Sequence, residues 1–142
     1  MAKLIRVAAL SSLENMQPLY VEHRGVPYCV IKTEEELKAF VTICTHKDLA
    51  MFPALLKKDC LVCPHHGIAF DCITGKIAKA HGKDADPLPK VALEIVEDIV
   101  YLKTRKRHRK LLPKSERKWV AKQAKKLAKK RRKTEQKEII YE

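Results

Sequence analysis

The sequence predicts an all-β domain, a sandwich or a small barrel, followed by a basic helical extension. Short runs rich in β-branched and aromatic residues recur about every 8–12 residues with turn residues between them, which is typical of such domains. After residue 103 the composition changes. Residues 1–102 hold 12 Lys and Arg against 13 Asp and Glu, whereas residues 103–142 hold 18 against 4. This asymmetry indicates a near-neutral domain over 1–103 and a basic C-terminal extension over 104–142.

The predicted strands follow from the alternation of polar and apolar residues and from the turns between them. Arg24-Gly25 joins two β-rich runs as a hairpin, and Ile73-Thr74-Gly75 joins another pair. Residues 49–56 are predicted to form an apolar loop that covers a metal site, since Pro53 excludes a long helix. We expect the strands to cover residues 3–8, 17–23, 26–32, 37–43, 59–62, 68–72, 76–78, 91–96 and 99–103.

The extension is predicted to be helical from Lys114 to Lys137, where strong helix formers dominate, and Ser115 is the expected N-cap. Its apolar stripe is narrow and rich in alanine, so the helix is not expected to bury much surface. We therefore expect a basic helix that lies on a partner or on the domain. The stripe consists of Val120, Ala124, Leu127 and Ala128.

Two thiols and two imidazoles form two Cys/His pairs. One residue separates Cys44 from His46, and two residues separate Cys63 from His66. Thiolate and neutral imidazole together suit Zn²⁺ or an iron–sulfur centre with mixed ligands. Structural zinc sites usually pair like ligands, as C-x₂₋₄-C and H-x₃₋₅-H. Each pair here contributes one Cys and one His, so an iron–sulfur centre is favoured and zinc is the alternative.

The residues after the second pair extend the pattern to C-T-H…C-P-x-H-G-x-x-F-D-x-x-T-G. This pattern resembles the [2Fe–2S] motif of Rieske proteins. The resemblance covers about residues 3–103, with the cluster-binding part at about 40–78. It implies a Rieske-like antiparallel β-sandwich that binds one [2Fe–2S] cluster per chain. It also implies that Cys44 and Cys63 ligate one iron, and that His46 and His66 ligate the other.

This chain differs from high-potential Rieske proteins at positions that affect the redox potential of the cluster. High-potential Rieske proteins of respiratory complexes carry a second cysteine pair that links the two loops, but Leu49 and His65 stand at those positions here. Those proteins also place a Ser and a Tyr, which donate hydrogen bonds to cluster sulfur, where this chain has Ile68 and Phe70. Because such hydrogen bonds stabilise the reduced cluster, their absence predicts a midpoint at the low end of the Rieske range, roughly −150 mV.

The predicted function is electron transfer rather than catalysis, because a second, mononuclear iron domain does not fit in 142 residues. The resemblance implies the ferredoxin component of an oxygenase or reductase system, with a flavin-dependent reductase as donor and an acceptor such as an oxygenase. Two alternatives are a Rieske module tethered to nucleic acid or to the ribosome, and the small subunit of a nitrite-reductase-like complex. The basic extension is expected to bind an acidic protein or nucleic acid through its charge.

The remaining sequence features concern location and the other Cys and His residues. The chain shows neither a secretory signal pattern nor an apolar run of about 18 residues, so a cytoplasmic protein without a transmembrane segment is expected. His65 is expected to face outward rather than to act as a ligand. Cys29 is expected to pack in a strand, while Cys60 and Cys72 either form a bridge or, as is commoner, remain free thiols. Three further histidines are not spaced from another residue as a pair of metal ligands would be, and we predict them at the surface: His23, His81 and His108.

Overall fold

The protein, described by a computed structural model, consists of antiparallel β-strands followed by a long helix. The structure describes residues 3–34, 36–45, 49–52, 55–63, 67–80, 82 and 85–141, and their side chains except those of 55 and 130–141. The all-β prediction is confirmed. In chain order the strands are β1 Lys3–Ala9, β2 Leu19–His23, β3 Val26–Lys32, β4 Leu37–Val41, β5 Ile43–Cys44, β6 Leu49–Ala50, β7 Leu55–Lys57, β8 Cys60–Val62, β9 Ala69–Asp71, β10 Ile77–Lys79, β11 Leu93–Val96 and β12 Ile99–Thr104.

These strands form four antiparallel sheets over the described residues. One sheet, with the order β1-β12-β11, brings the start of the chain beside residue 104, since Lys3 lies opposite Thr104. A second is the meander β2-β3-β4, whose first turn contains Arg24-Gly25 as predicted. The other two are the pair β5-β6 and the sheet β10-β9-β8-β7. These last two sheets contain Cys44 and lead into Cys63, so they position the candidate site.

Strand β3 lies between two buried apolar clusters and contributes alternate residues to each. Successive side chains of a strand point to opposite faces. Tyr28 and Val30 therefore belong to one cluster, the helix-side core, which also contains Val41, Leu102, Leu112 and Val120. Cys29 and Ile31 belong to the other, the cysteine core, which also contains Phe40, Cys44, Met51, Leu61, Cys63, Ile68, Phe70, Cys72 and Leu88.

The extension forms a short helix, α1 (Lys106–Arg109), and a long one, α2 (Lys114–Tyr141). Helix α2 packs on β2, β3 and β6, and Val120 is fully buried in the helix-side core. The approach at Gly25 is so close that an added Cβ would lie 2.5 Å from the carbonyl oxygen of Arg117, and Gly25 has a positive φ of 79°. Of the two predicted positions for the helix, the domain surface is therefore the one found for its first part. No described helix combines the length and apolarity needed to cross a membrane.

Three sequence predictions about these elements are wrong in detail. The strand predicted over 37–43 is interrupted at Thr42. The backbone N–H of Thr42 donates to the carbonyl of Pro27 in β3 at 3.0 Å, but its carbonyl accepts from the N–H of Met51 at 2.9 Å, so the chain passes at Thr42 from the sheet of β4 to that of β5. The predicted loop 49–56 contains β6 and the start of β7. Ser115 is not an N-cap, because α2 begins at Lys114, directly after Pro113.

His108 was predicted at the surface, and this is also wrong. Its ring is buried against Tyr28, and their ring planes meet at 73°. The backbone N–H of Arg105 donates to Nδ1 of His108 at 3.2 Å, so Nδ1 is an acceptor and the Tyr28 hydroxyl donates to it at 3.0 Å. Burial is the main cause of a lowered pKa at His108, and it raises the pKa of Tyr28 to about 12. His23 is partly exposed, and His81 lies outside the described residues.

Candidate metal centre

The first Cys/His pair lies where strands β5 and β6 meet. Ile43 pairs with Ala50 and Cys44 pairs with Leu49, so β5 and β6 are the two strands of a hairpin. We name residues 44–49 the first Cys/His loop. A bond from the backbone N–H of Met51 to the carbonyl of Thr42, at 2.9 Å, extends the hairpin by one residue pair, and the N–H of Thr42 attaches it to β3 by donating to the carbonyl of Pro27 at 3.0 Å. Cys44 therefore has a defined backbone position, while His46 lies outside the described residues.

Cys63, the first residue of the second Cys/His pair, directly follows β8, and Gly67 and Ile68 directly precede β9. We name residues 63–68 the second Cys/His loop. Its two ends are joined by hydrogen bonds: the N–H of Gly67 donates to the carbonyl of Cys63 at 3.0 Å, and the N–H of Cys63 donates to that of Ile68 at 2.9 Å. These bonds fix the backbone on both sides of Cys63. His66 and the neighbouring His65 lie outside the described residues.

Both cysteines of the motif are buried in the cysteine core. Cys44 and Cys63 are 0% and 1% exposed, and they share this apolar cluster with Ile68 and Phe70. Thiolates in an apolar, water-excluding setting are the ligands of iron–sulfur clusters, whose potentials depend on that setting. The described half of the donor set therefore fits the [2Fe–2S] group that the motif implies.

A third loop supports the first Cys/His loop. The side chain of Thr45, between Cys44 and His46, exchanges two hydrogen bonds with the backbone of Asp86: its hydroxyl donates to the carbonyl, and the N–H of Asp86 donates to Oγ1 at 2.9 Å. Asp86 belongs to the loop between β10 and β11, and the described residues of this loop at 82 and 85–89 form no helix or strand. This loop is connected to the turn after β9, because the N–H of Leu88 donates to the carbonyl of Gly75 at 2.8 Å.

The turn after β9 explains the F-D-x-x-T-G part of the motif. Asp71 Oδ1 accepts hydrogen bonds from the N–H groups of Ile73 and Thr74 at 2.8 and 3.0 Å, an Asx-type turn. The bond from Thr74 is the main cause of a lowered pKa at Asp71. At Gly75 an added Cβ would lie 2.7 Å from the ring of Phe40, a core residue, so only glycine fits. The motif residues beyond the Cys/His pairs thus shape the support of the site.

The other three cysteines do not form disulfides. Cys29 and Cys72 are buried, and Cys60 is partly exposed. Burial raises the pKa of the Cys72 thiol to about 11, with a smaller contribution from Asp71, and burial likewise raises the pKa of Cys29. Thiols with raised pKa are protonated and unreactive at neutral pH. Their interpretation as free thiols is confirmed.

One contact that reaches the candidate site has no signal in the sequence. Glu116 Oε1, on the first turn of α2, accepts a hydrogen bond from the backbone N–H of Ala50 at 2.9 Å. Ala50 is buried and pairs with Ile43, the residue before Cys44. The helical extension thereby contacts the hairpin that carries Cys44. Glu116 and Ala50 are 66 residues apart in sequence, and neither belongs to a recognisable motif.

Several solved structures share this fold, and ferredoxins are among them. A chain of the complex of reduced oxygenase and oxidized ferredoxin in carbazole 1,9a-dioxygenase matches with a TM-score of 0.59 and 28% identity, over 70% of this chain and 92% of that one. The ferredoxin of carbazole 1,9a-dioxygenase from Nocardioides aromaticivorans IC177 matches with a TM-score of 0.58 and 19% identity, over 72% and 99%. The Sphingomonas yanoikuyae B1 ferredoxin matches with a TM-score of 0.57 and 21% identity, over 72% and 100%.

The comparison of the sequence with protein families agrees with the fold comparison. No match to a curated protein was found. The model of the Rieske [2Fe-2S] domain matches residues 3–97, which include both Cys/His loops and every strand as far as β11. This match confirms the Rieske-like fold and implies one [2Fe–2S] cluster for the domain. On the evidence of the motif, the buried cysteine pair, the fold and this match, the chain belongs to the Rieske [2Fe–2S] domain family.

Proposed function

We propose that the chain is a Rieske ferredoxin that carries one electron at a time to an oxygenase or a related acceptor. The observation that carries this proposal is the family match over residues 3–97. The 28% identical chain from an oxygenase–ferredoxin complex adds support, because the alignment includes 92% of that chain and so leaves little of it without a counterpart. The donor expected from the resemblance is a flavin-dependent reductase. The cytoplasmic location stays a prediction.

The proposed cluster ligands are Cys44, His46, Cys63 and His66. When bound, the [2Fe–2S] group supplies a one-electron couple. The support for the cysteines is their burial in one apolar core and the hydrogen bonds that fix each loop. The support for the histidines is their spacing in the motif, since they lie outside the described residues. The residues of the chain have three tasks here: to hold the thiolates, to exclude water from them, and to leave an exit for the electron.

A low midpoint potential is part of the proposal. Ile68 and Phe70 are fully buried in the core that contains both cysteines, and neither side chain has a hydrogen-bond donor. The second cysteine pair of high-potential Rieske proteins is also replaced, by Leu49 and His65. Without donors at these positions, the extra negative charge of the reduced state gains no stabilisation from side-chain hydroxyls. This favours a carrier that receives electrons from a flavin enzyme over one that oxidises a quinol.

We also propose that residues 1–103 form the Rieske domain and that the extension 104–142 docks on it. The family match ends at residue 97, before the basic region begins. Leu112 and Val120 are both buried in the helix-side core. A fully buried Val or Leu contributes about 1.5–3 kcal/mol. The first part of the extension is therefore expected to stabilise the domain.

The proposed function is tested by redox titration of the full-length, cluster-loaded protein. We expect one reversible one-electron transition near the low end of the family range of roughly −150 to +300 mV. A midpoint above about +100 mV would contradict the ferredoxin assignment, because a flavin-coupled carrier operates well below the upper half of that range.

Phe70→Tyr is the matched variant. By giving sulfur a donor, it should raise the midpoint by about 60 mV, the value of a tenfold one-electron equilibrium change.

A further inference from the structure

A cationic cavity lies away from the Cys/His loops, where the two ends of the domain meet. It has a volume of about 180 Å³, several times the ~30 Å³ of a water molecule in the liquid. Three separate segments line it: the start of β1, the turn after β2, and the junction of β12 with α1. Its charged lining is basic, and among the described lining residues there is no carboxylate. The cationic side chains are Lys3, Arg24, Arg105, Lys106 and Arg109.

Local structure sets the backbone that carries these cations. Arg24 occupies the hairpin turn with a positive φ of 52°, next to Gly25, whose N–H donates to Glu22 Oε2 at 2.7 Å. The N–H of Arg105 donates to the buried His108, which fixes the start of α1. The hydroxyl of Thr104 donates to the carbonyl of Lys3 at 3.0 Å and holds the two strand ends together. Each part of the cavity wall is therefore fixed by hydrogen bonds.

The like charges converge on His23, which also lines the cavity. Partial burial is the first cause of its lowered pKa, and the charges of Arg24, Lys3 and Arg109 lower it further. The Glu22 carboxylate acts in the opposite direction but does not cancel them. Like charges brought together without a counter-ion destabilise a fold, so an arrangement of this kind is favourable when an anion is bound.

We infer that this cavity binds a phosphate group carried by a small molecule. A phosphate monoester carries about −1.5 to −2 charges at neutral pH and offers three strong acceptor oxygens. Arginine side chains bind such groups bidentately, and three arginines line the cavity. A single carboxylate would neutralise only one of the five cations. The small volume, about 180 Å³, favours a compact ligand over a nucleic-acid strand, which tracks along an extended groove.

The inference is tested by calorimetric titration of the full-length, cluster-loaded protein with inorganic pyrophosphate. Saturable binding at one site per chain is expected. The double variant Arg105→Gln/Arg109→Gln should weaken it at least tenfold. The matched control is Lys125→Gln/Lys126→Gln, which removes the same charge from exposed positions of α2 and should change the affinity less than twofold. Circular dichroism and the visible spectrum verify that each variant retains its fold and cluster.

Two further readouts distinguish a built site from diffuse attraction. NMR titration should show that pyrophosphate raises the pKa of His23, because the anion offsets the surrounding cations. The inference is overturned if binding does not saturate, if both double variants lose affinity equally, or if the pKa of His23 does not rise. A single-stranded oligonucleotide that binds more tightly than pyrophosphate and depends on Lys125 and Lys126 would likewise replace the proposed ligand by nucleic acid. None of these results bears on the proposed electron transfer.

Discussion

At the scale of residues, the cysteines divide into two groups by position and not by burial alone. Cys29, Cys44, Cys63 and Cys72 all lie in the cysteine core and are equally inaccessible. Only Cys44 and Cys63 stand on loops that also carry a histidine two or three residues further on. Cys29 lies within a strand, and Cys72 follows one in a tight turn. Ligation is therefore expected from two of these four buried thiols.

Replacing a ligand cysteine should abolish the cluster. For Cys63→Ser we expect loss of iron, of inorganic sulfide and of the visible absorption, because a hydroxyl is a poor substitute for a thiolate at an iron–sulfur centre. Cys60→Ser is the matched control, since Cys60 lies three residues earlier at the start of β8 and is a free thiol. It should retain the full iron content. Equal loss in both variants, or a fully loaded Cys63→Ser protein, would remove Cys63 from the ligand set.

At the scale of elements, helix α2 is connected to the first Cys/His loop. Glu116 accepts the N–H of Ala50, which is 2% exposed and pairs with the residue before Cys44. A buried backbone N–H that loses its partner costs about 1–3 kcal/mol. The hairpin β5-β6 has only two residues in each strand, so losing the hydrogen bond to Glu116 would weaken an element that is already short. The helix is thus expected to influence how firmly the cluster is held.

Glu116→Ala should destabilise the loaded protein by about 1–3 kcal/mol in denaturant unfolding, and it should accelerate cluster loss. Glu116→Gln keeps an acceptor oxygen at the same distance from Ala50 and should restore most of both properties. Lys118→Ala, an exposed position on the same helix, is the control and should change stability by less than about 0.5 kcal/mol. If Glu116→Ala released the cluster no faster than Lys118→Ala, the proposed support of the loop would be refuted.

The elements also show how much of the fold and of the candidate site can be predicted from the sequence. Alternation and turn residues located nearly every strand, and the motif located both Cys/His loops, because these signals are local. The change of sheet at Thr42 depends on its bonds to Pro27 and Met51 in other segments, and the burial of His108 depends on Tyr28, 80 residues away. The contact between Glu116 and Ala50 is of the same kind. Such pairings follow from tertiary packing, which no short stretch of sequence encodes.

At the scale of the whole molecule, His108 links the stability of the protein to pH. It lies between the domain and the extension, and its folded-state pKa is lowered by burial first and by Arg107 and Arg105 next. A neutral ring is needed, because Nδ1 accepts from Arg105 and Tyr28. Below the ordinary pKa of about 6.5 the unfolded chain takes up the proton more readily. The stabilising contribution is therefore complete above that pH and is lost as the pH falls through the lowered folded-state value.

We expect the melting temperature to fall as the pH is lowered from 7 towards 5, and to fall less in His108→Asn. Asparagine places an acceptor oxygen near the position of Nδ1 and does not titrate. The proposed ligand histidines and His23 are common to both proteins, so their contributions cancel in the comparison. The measurement is a set of thermal melts of the loaded proteins across this range. Parallel pH profiles for the two proteins would show that His108 does not titrate with unfolding.

The most direct test of the central claim, a Rieske [2Fe–2S] cluster held by two cysteines and two histidines, is EPR spectroscopy of the dithionite-reduced protein. We predict a rhombic signal with an average g-value below that of the free electron, integrating to one spin per chain. It should be absent in the oxidised protein and lost with Cys63→Ser. An EPR-silent reduced protein that contains one zinc ion per chain in place of iron would contradict the account.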